Sequence, residues 1–350
     1  MANNSKDSES SFLLDGQLGD LEISLPTKAF SEKTDALKGY FHYPSFSVRL
    51  SLLFLGWYFL NAWYVVENKV ILLKLPLPWT LSAMQLTVGW LFALLFWGTG
   101  IRSVPSINSR NTFFRVIVPQ GLCHLFVHLG AVVSMGIGAV SFTHVVKAAE
   151  PVITALFSII FLQEYLNTAA YLSLIPIVLG IALASVKELH FNWIAFWFAM
   201  ISNAGSSIRS IFAKVTMKNK DEIGTNLSTS NLYLLMTLVA SVASVPLVYF
   251  TEYHKWAPLW IKATSHMTDK EKVIFVTRAF VSCVCYYLCN DLAFICLGEI
   301  NQVTHAIANT LKRIVLIGTA IMVFNYRITA LGYLGITIAI SGTFSYAVSK

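Results

Sequence analysis

After a polar, Ser-rich start, the chain is written in long apolar runs separated by short polar seams. Ten such runs fall at about 47–72, 78–99, 112–137, 140–162, 168–187, 191–217, 227–250, 273–297, 300–325 and 328–347. Each is near or above the roughly 20 residues a helix needs to cross a bilayer. The pattern predicts an all-α polytopic membrane protein with ten transmembrane helices. Pro151 and Pro176 stand inside predicted spans and predict kinks there. Ten spans put both termini on one side of the membrane, and they split five and five after residue 187. A five-span unit used twice must point in opposite directions, the inverted-repeat plan of many carriers. One detail supports it: Ser141-Phe142-Thr143-His144 opens the fourth span, and Gln302-Val303-Thr304-His305 opens its counterpart, the ninth. The expected organisation is a disordered tail over 1–46, a first five-helix repeat over 47–187 and a second over 188–350.

Composition agrees with the pattern. Of 350 residues, 56% are hydrophobic and 12% charged, about half the charged share of a soluble domain. The net charge of +7 needs dividing. Residues 1–42 hold four Lys and seven Asp/Glu, so the rest of the chain carries +10. No stretch interleaves basic and aromatic residues as a nucleic-acid surface does. Positive charge gives no orientation: Arg102, Arg110, Arg115, Lys218 and Lys220 fall on the terminal side, and Lys69, Lys74, Lys255, Lys262, Lys270 and Lys272 on the other. Cys283, Cys285, Cys289 and Cys296 share one predicted helix and Cys123 lies on another, which suits small packing residues and not a disulfide framework. The acidic tail is unlike an ordinary transit peptide, which is basic and acid-poor.

Candidate chemistry lies where charge interrupts the apolar runs. Lys312 and Arg313 sit mid-span, where each cation costs on the order of 2.5–3.5 kcal/mol to insert. Such residues turn toward a wet cavity that something negative visits. Lys147 lies one turn from Glu150; it either pairs with that carboxylate within the helix or faces the cations of span nine, and the two readings are compatible. Arg209 is mid-span as well. Its planar fork suits a phosphate, and the plainer reading is a pairing near a helix end. His124 and His128 share a helix face but lack a third ligand, so no metal is expected and His128 is read as a hydrogen-bond donor. His124, His144 and His305 are read as links between helices. Asp291 could pair with a cation of another span. No nucleophile, phosphate-binding glycine loop or carboxylate cluster is present, so neither an enzyme nor a cofactor is expected.

At these residues the chain resembles the plastid phosphate translocators, the triose-phosphate/phosphate antiporters of the drug/metabolite transporter superfamily. The matching stretches are Trp57-Tyr58-Phe59-Leu60-Asn61 with Asn68-Lys69, Cys123-His124 with His128, and Ser141 to His144 with Lys147 and Glu150-Pro151. Further on come Ser202-Asn203 with Arg209-Ser210, Asn290 with Leu292-Ala293, and Thr304-His305 through Asn309 to Lys312-Arg313. The resemblance covers about 47–347. It implies ten helices in two inverted halves around one central site. It implies that Lys147, Lys312 and Arg313 bind phosphate, that Arg209 is the family's intramembrane arginine, and that His128 is the histidine of the triose-phosphate type, where phosphoenolpyruvate-preferring relatives tend to carry Asn. Two positions depart. Ala131 stands where family members carry a small hydroxyl residue, and Cys289 where they carry a tyrosine. Both would touch the carbon end of a substrate, and Tyr286, three residues before Cys289, is the candidate replacement phenol.

The resulting expectation is a strict antiporter in a plastid envelope membrane, exchanging inorganic phosphate for triose phosphate, 3-phosphoglycerate or phosphoenolpyruvate. A nucleotide-sugar carrier of the same fold and a membrane enzyme acting on phosphorylated lipids are the alternatives. The first would need stacking room for a base, and the second a nucleophile or metal set.

Overall fold

A computed structural model describes residues 48–163, 165–186, 191–300, 302–326 and 328–349. The tail expected at 1–46 and the boundary expected at 187 fall outside these residues. Helices lie where the apolar runs predict them: α1 (Val48–Lys74), α2 (Pro78–Gly98), α3 (Arg110–Ile137), α4 (Val140–Lys147), α5 (Glu150–Leu162), α6 (Thr168–Val186), α7 (Trp193–Lys218) and α8 (Thr229–Thr251). They continue with α9 (Trp256–Thr264), α10 (Asp269–Glu299), α11 (Gln302–Phe324) and α12 (Ala330–Ser349). Among the described residues, nine helical stretches are long and apolar enough to cross a membrane, with α4 and α5 counted together as one. The chain is an all-α polytopic membrane protein.

Helix α7 is long enough to be a tenth span, at 26 residues, but its middle is polar. Asn203, Ser206, Ser207 and Arg209 interrupt its apolar run. They are kept because they face neighbouring helices: Asn203 and Ser207 are fully buried. Helix α7 lies along α3, α4 and α5. The α3–α7 approach is close enough that a Cβ on Gly130 would fall 2.5 Å from the Phe198 carbonyl oxygen, so only glycine fits. Helix α6 packs along α12, α2 along α8, and α4 against α11.

Two surface features lie outside the apolar pattern. Ser106–Ile107 (β1) pairs antiparallel with Gly224–Thr225 (β2), joining the loops after α2 and α7. These are the loops assigned to the same side by span count. Helix α9 is the other feature, a nine-residue amphipathic segment too short for a span.

Pro151 acts differently from the expected kink. The helix stops at Lys147 and restarts at Glu150, with Pro151 within the first two residues of α5. A proline four residues beyond Lys147 withholds the amide that its carbonyl would accept from. The chain tightens instead: the Ala148 and Ala149 amides donate to Val145 and Val146, three residues back, at 2.9 and 3.0 Å. Asn203 Nδ2 of α7 also donates to the Val146 carbonyl at 2.9 Å, a second bond that ties α7 to the end of α4 at the break. Pro176, by contrast, lies within a continuous α6.

Lys69, near the end of the first predicted span, has a partner that the sequence does not show. It is buried near the end of α1, and its Nζ donates to the carbonyls of Met135 and Gly138, both at 2.8 Å. It caps the C-terminus of α3, where orphan carbonyls and the helix dipole favour a cation.

Candidate functional site

The helix break sets the site's geometry, because it leaves Lys147 and Glu150 at facing helix ends with side chains directed to different partners. Lys147 Nζ donates to Ser202 Oγ at 2.6 Å, and Ser202 donates to the Val127 carbonyl at 2.6 Å. Glu150 accepts from Arg313 Nη2 at 2.5 Å and from Ser206 Oγ at 2.5 Å. The pairing of Glu150 with Lys147 considered from sequence is therefore replaced by one across helices, to α11. Glu150 stands at the first residue of α5, where the dipole favours a carboxylate. Arg313 is buried, and its Nη1 has no hydrogen-bond partner among the described residues.

Lys312 takes a different wall. Its Nζ lies 4.9 Å from the Trp57 ring centroid, over the ring, a cation–π contact that holds a positive charge without neutralising it. His305 stacks on Trp57 at 5.5 Å and 15°, and Tyr58 OH donates to the Ala308 carbonyl at 2.7 Å. Together these contacts fix α1 against α11. Lys147 and Lys312 both lie within electrostatic reach of Arg209, Arg313 and Glu150. Four cations thus share one carboxylate, a local excess of three positive charges.

Arg209 is not paired near a helix end. Its Nη1 lies 2.7 Å from His124 Nδ1, and its guanidinium carbon lies 5.7 Å from the Phe294 ring centroid. A guanidinium only donates, so His124 Nδ1 accepts and the neutral ring carries its proton on Nε2. That nitrogen meets Tyr286 OH at 3.3 Å and Thr237 Oγ1 at 3.4 Å. His124 therefore links α3 to α7, α8 and α10, as expected of a structural histidine.

His128 lies one turn further along α3, its ring 3.8 Å from that of Tyr286 and inclined at 30°. Its Nε2 is buried with no hydrogen-bond partner among the described residues, an unspent hydrogen-bonding group of the kind a ligand oxygen satisfies. Tyr64 flanks the pair, 5.5 Å from Tyr286. Ala131, half-buried, follows one turn beyond His128. Cys289 follows Tyr286 by three residues on α10 and donates its thiol to the Tyr286 carbonyl at 3.3 Å. It is fully buried beside Trp57 and Ala308, with Asn61 Nδ2 3.5 Å from its sulfur. The phenol of Tyr286 is thus already engaged by His124, and Cys289 is covered by α1.

Several polar residues escape sequence reasoning. Asp291 does pair with a cation, but with Arg102 from the loop after α2, at 2.9 and 2.5 Å. Glu67 is buried and accepts from Arg278 at 2.7 and 3.2 Å. Glu252 is buried against the start of α2, accepting from the Trp79 and Thr80 amides at 3.2 and 2.7 Å. Asn68, Gln85 and Ser282 form a further buried set, with Gln85 Nε2 donating to Asn68 at 2.6 Å and to Ser282 at 3.0 Å. Apart from Asp291, these pairings carry no signal in the sequence, because the partners lie on different helices.

Comparison with known proteins follows the same lines. The chain is 34% identical over 332 residues to glucose-6-phosphate/phosphate translocator 2, chloroplastic, of Arabidopsis thaliana, covering 95% of this chain and 79% of that one. It is 33% identical over 304 residues to phosphoenolpyruvate/phosphate translocator 3, chloroplastic, of Oryza sativa subsp. japonica, covering 87% and 75%. With the triose phosphate/phosphate translocator, chloroplastic, of Solanum tuberosum it shares 34% over 316 residues, covering 90% and 73%. A solved crystal structure superimposes with a TM-score of 0.50 at 13% identity, over 85% of this chain and 96% of the other, a likeness of fold alone. A sequence model of the Triose-phosphate Transporter family matches residues 48–347, nearly the whole described bundle. The chain belongs to the Triose-phosphate Transporter family.

Proposed function

We propose that this protein is a strict antiporter of a plastid envelope membrane, exchanging inorganic phosphate for a phosphorylated three-carbon metabolite, triose phosphate or 3-phosphoglycerate. One observation carries the reading: Lys147, Arg209, Lys312 and Arg313 gather around the single carboxylate of Glu150. A phosphate ester carries about −1.5 to −2 near neutral pH, which offsets the larger part of that excess. Lys147, Lys312 and Arg313 hold the phosphate. His128, with Arg209, addresses the carbon end, and Tyr286, Ala131 and Cys289 shape the space there. The residues gathered include no nucleophile set up for a reaction on a lipid.

In this reading the ten spans form two inverted repeats, 47–187 and 188–350, which alternate access to the site. The packing pairs α2 with α8, α4 with α11 and α6 with α12 are pairs of like position in the two halves, which supports it. Exchange is strict for an electrostatic reason. Occluding the empty site buries several unpaired cations, each costing several kcal/mol of effective desolvation. An extra barrier of ~4 kcal/mol slows return about a thousandfold. A bound phosphate removes that barrier.

The test is uptake of labelled phosphate into liposomes loaded with unlabelled phosphate, with nothing, or with a panel of phosphorylated metabolites. The panel includes phosphoenolpyruvate, glucose 6-phosphate and xylulose 5-phosphate, because relatives with these names match at 31–35% identity. The expected result is fast uptake against phosphate and three-carbon phosphates and almost none into empty liposomes. Lys312→Ala should abolish exchange; near-normal exchange by that variant would overturn the site.

A further inference from the structure

Helix α9 has two faces. Trp256 and Trp260, one turn apart, line a crevice against the bundle and stay partly exposed at 39% and 38%, while Lys262 and, just before the helix, Lys255 are exposed. That division marks a helix lying in the membrane–water interface. It is anchored there: Trp256 Nε1 donates to Thr80 Oγ1 at 2.8 Å, and Thr80 donates to the buried Glu252 at 2.7 Å.

Beneath α9 lies a crevice of about 390 Å³ walled by Leu75 of the turn after α1, Leu81 and Met84 of α2, and Phe275 and Ala279 of α10. Ala279 stands ten residues into α10 and Met84 six into α2, so the crevice reaches about 10–15 Å below the surface at ~1.5 Å per residue. Its volume holds about a dozen groups of roughly 30 Å³, the share of one water in the liquid. Thr80 supplies the polar atom of a lining otherwise made of apolar and indole side chains. A water-soluble metabolite would find one hydroxyl, already bonded. An alkyl chain running parallel to the helices would find contact along its length.

The rim supplies a charge. Lys74 and Lys255 each adjoin a lining residue, and with Lys262 they are exposed and without an ion-pair partner among the described residues. The acids at this end each have a nearer partner, and Glu271 also lies within electrostatic reach of Lys74. Glu252 caps α2, Asp269 pairs with Lys272, and Glu271 accepts from Thr268. We propose that the crevice is a lipid site: it takes one acyl chain of an anionic bilayer lipid whose headgroup rests on Lys74 and Lys255. The walls come from early and late parts of the chain, and Ala279 directly follows Arg278, the partner of Glu67. The lipid therefore fills the seam beside that ion pair.

The site is independent of what the protein transports, and so is its test. The full chain is released from nanodiscs of mixed phosphatidylglycerol and phosphatidylcholine and weighed by native mass spectrometry. The expected result is one retained lipid, predominantly phosphatidylglycerol. Ala279→Phe fills the crevice and should cut retention at least about fivefold, the loss of only a few methylene contacts. Lys74→Gln with Lys255→Gln should keep a lipid while removing the preference for phosphatidylglycerol. Unchanged retention in a folded Ala279→Phe protein, or an unchanged headgroup preference in the lysine variant, overturns the proposal, as does a wild-type protein that retains no lipid. Should Ala279→Phe fail to fold, quenching of tryptophan fluorescence by phosphatidylglycerol brominated on its chain decides. Saturable quenching that falls in Trp260→Phe supports the site, and quenching that does not change in that variant overturns it.

Discussion

The seam between α6 and α12 and the one between α1 and α10 are built on opposite principles. In the first, backbone meets backbone. A side chain on Gly180 would strike the Ala339 amide and the Gly335 carbonyl, and Gly335 faces Ala184 as closely. Across the second, side chains meet. Glu67 holds Arg278 toward one end, Arg49 holds Glu299 at the other, and Asn61 touches Cys289 between them. A glycine seam is close-packed, and sliding it costs dispersion contacts all along its length. A seam tied by ions can part and rejoin, because each ion regains water as it separates. Under the proposed exchange mechanism, the comparison makes α6–α12 the expected fixed part and α1–α10 the expected working part.

The largest effect expected is from Gly180→Leu. It forces side chain into backbone on both sides of the fixed seam, at or above the top of the ~1–3 kcal/mol range of overpacking. The yield of monodisperse protein in mild detergent should collapse. Next, Glu67→Cys with Arg278→Cys, joined by a short bifunctional thiol reagent, should arrest phosphate exchange in liposomes. The same reagent across Asn167→Cys and Ser349→Cys, residues bonded at 2.6 Å beyond and at the end of the α6–α12 seam, should leave exchange intact. Arrest by both cross-links would erase the distinction. Glu67→Gln alone should slow exchange partially, and the reversed pair Glu67→Arg with Arg278→Glu should recover part of the rate. The smallest effect is that of Arg49→Ala: this pair is largely exposed, and such pairs contribute about 0–1 kcal/mol. Its thermal midpoint and exchange rate should match wild type.

The same contrast explains what could be read from the sequence. The spans were legible because crossing a bilayer needs about 20 apolar residues, whatever they touch. Lys147, Arg209, Lys312 and Arg313 were legible because a cation mid-span is costly wherever it points. Partners were not legible, because pairing is tertiary. Glu150 is three residues from Lys147 and 163 from Arg313, yet the distant residue is its partner. Lys69, five residues from the end of α1, was counted only as positive charge on one side of the membrane, and the α3 carbonyls that it meets lie more than 60 residues away. Pro151 announced an irregularity, but the tightened turn at Ala148 and Ala149 and the Asn203 bond across from α7 are tertiary detail that it does not specify. Helix α9 was too short to register in a pattern tuned to spans.

Two of these tertiary partnerships bear on how the chain enters the membrane. Glu67 and Lys69 are two residues apart on α1, a spacing that does not let them face each other. Lys69 must wait for Met135 and Gly138, and Glu67 must wait for Arg278, 211 residues later. During synthesis α1 therefore carries two opposite charges near one end whose partners come later in the chain. A chain ended before Arg278 leaves Glu67 without its cation, and the expected outcome is greater protease sensitivity of α1 than in the full chain.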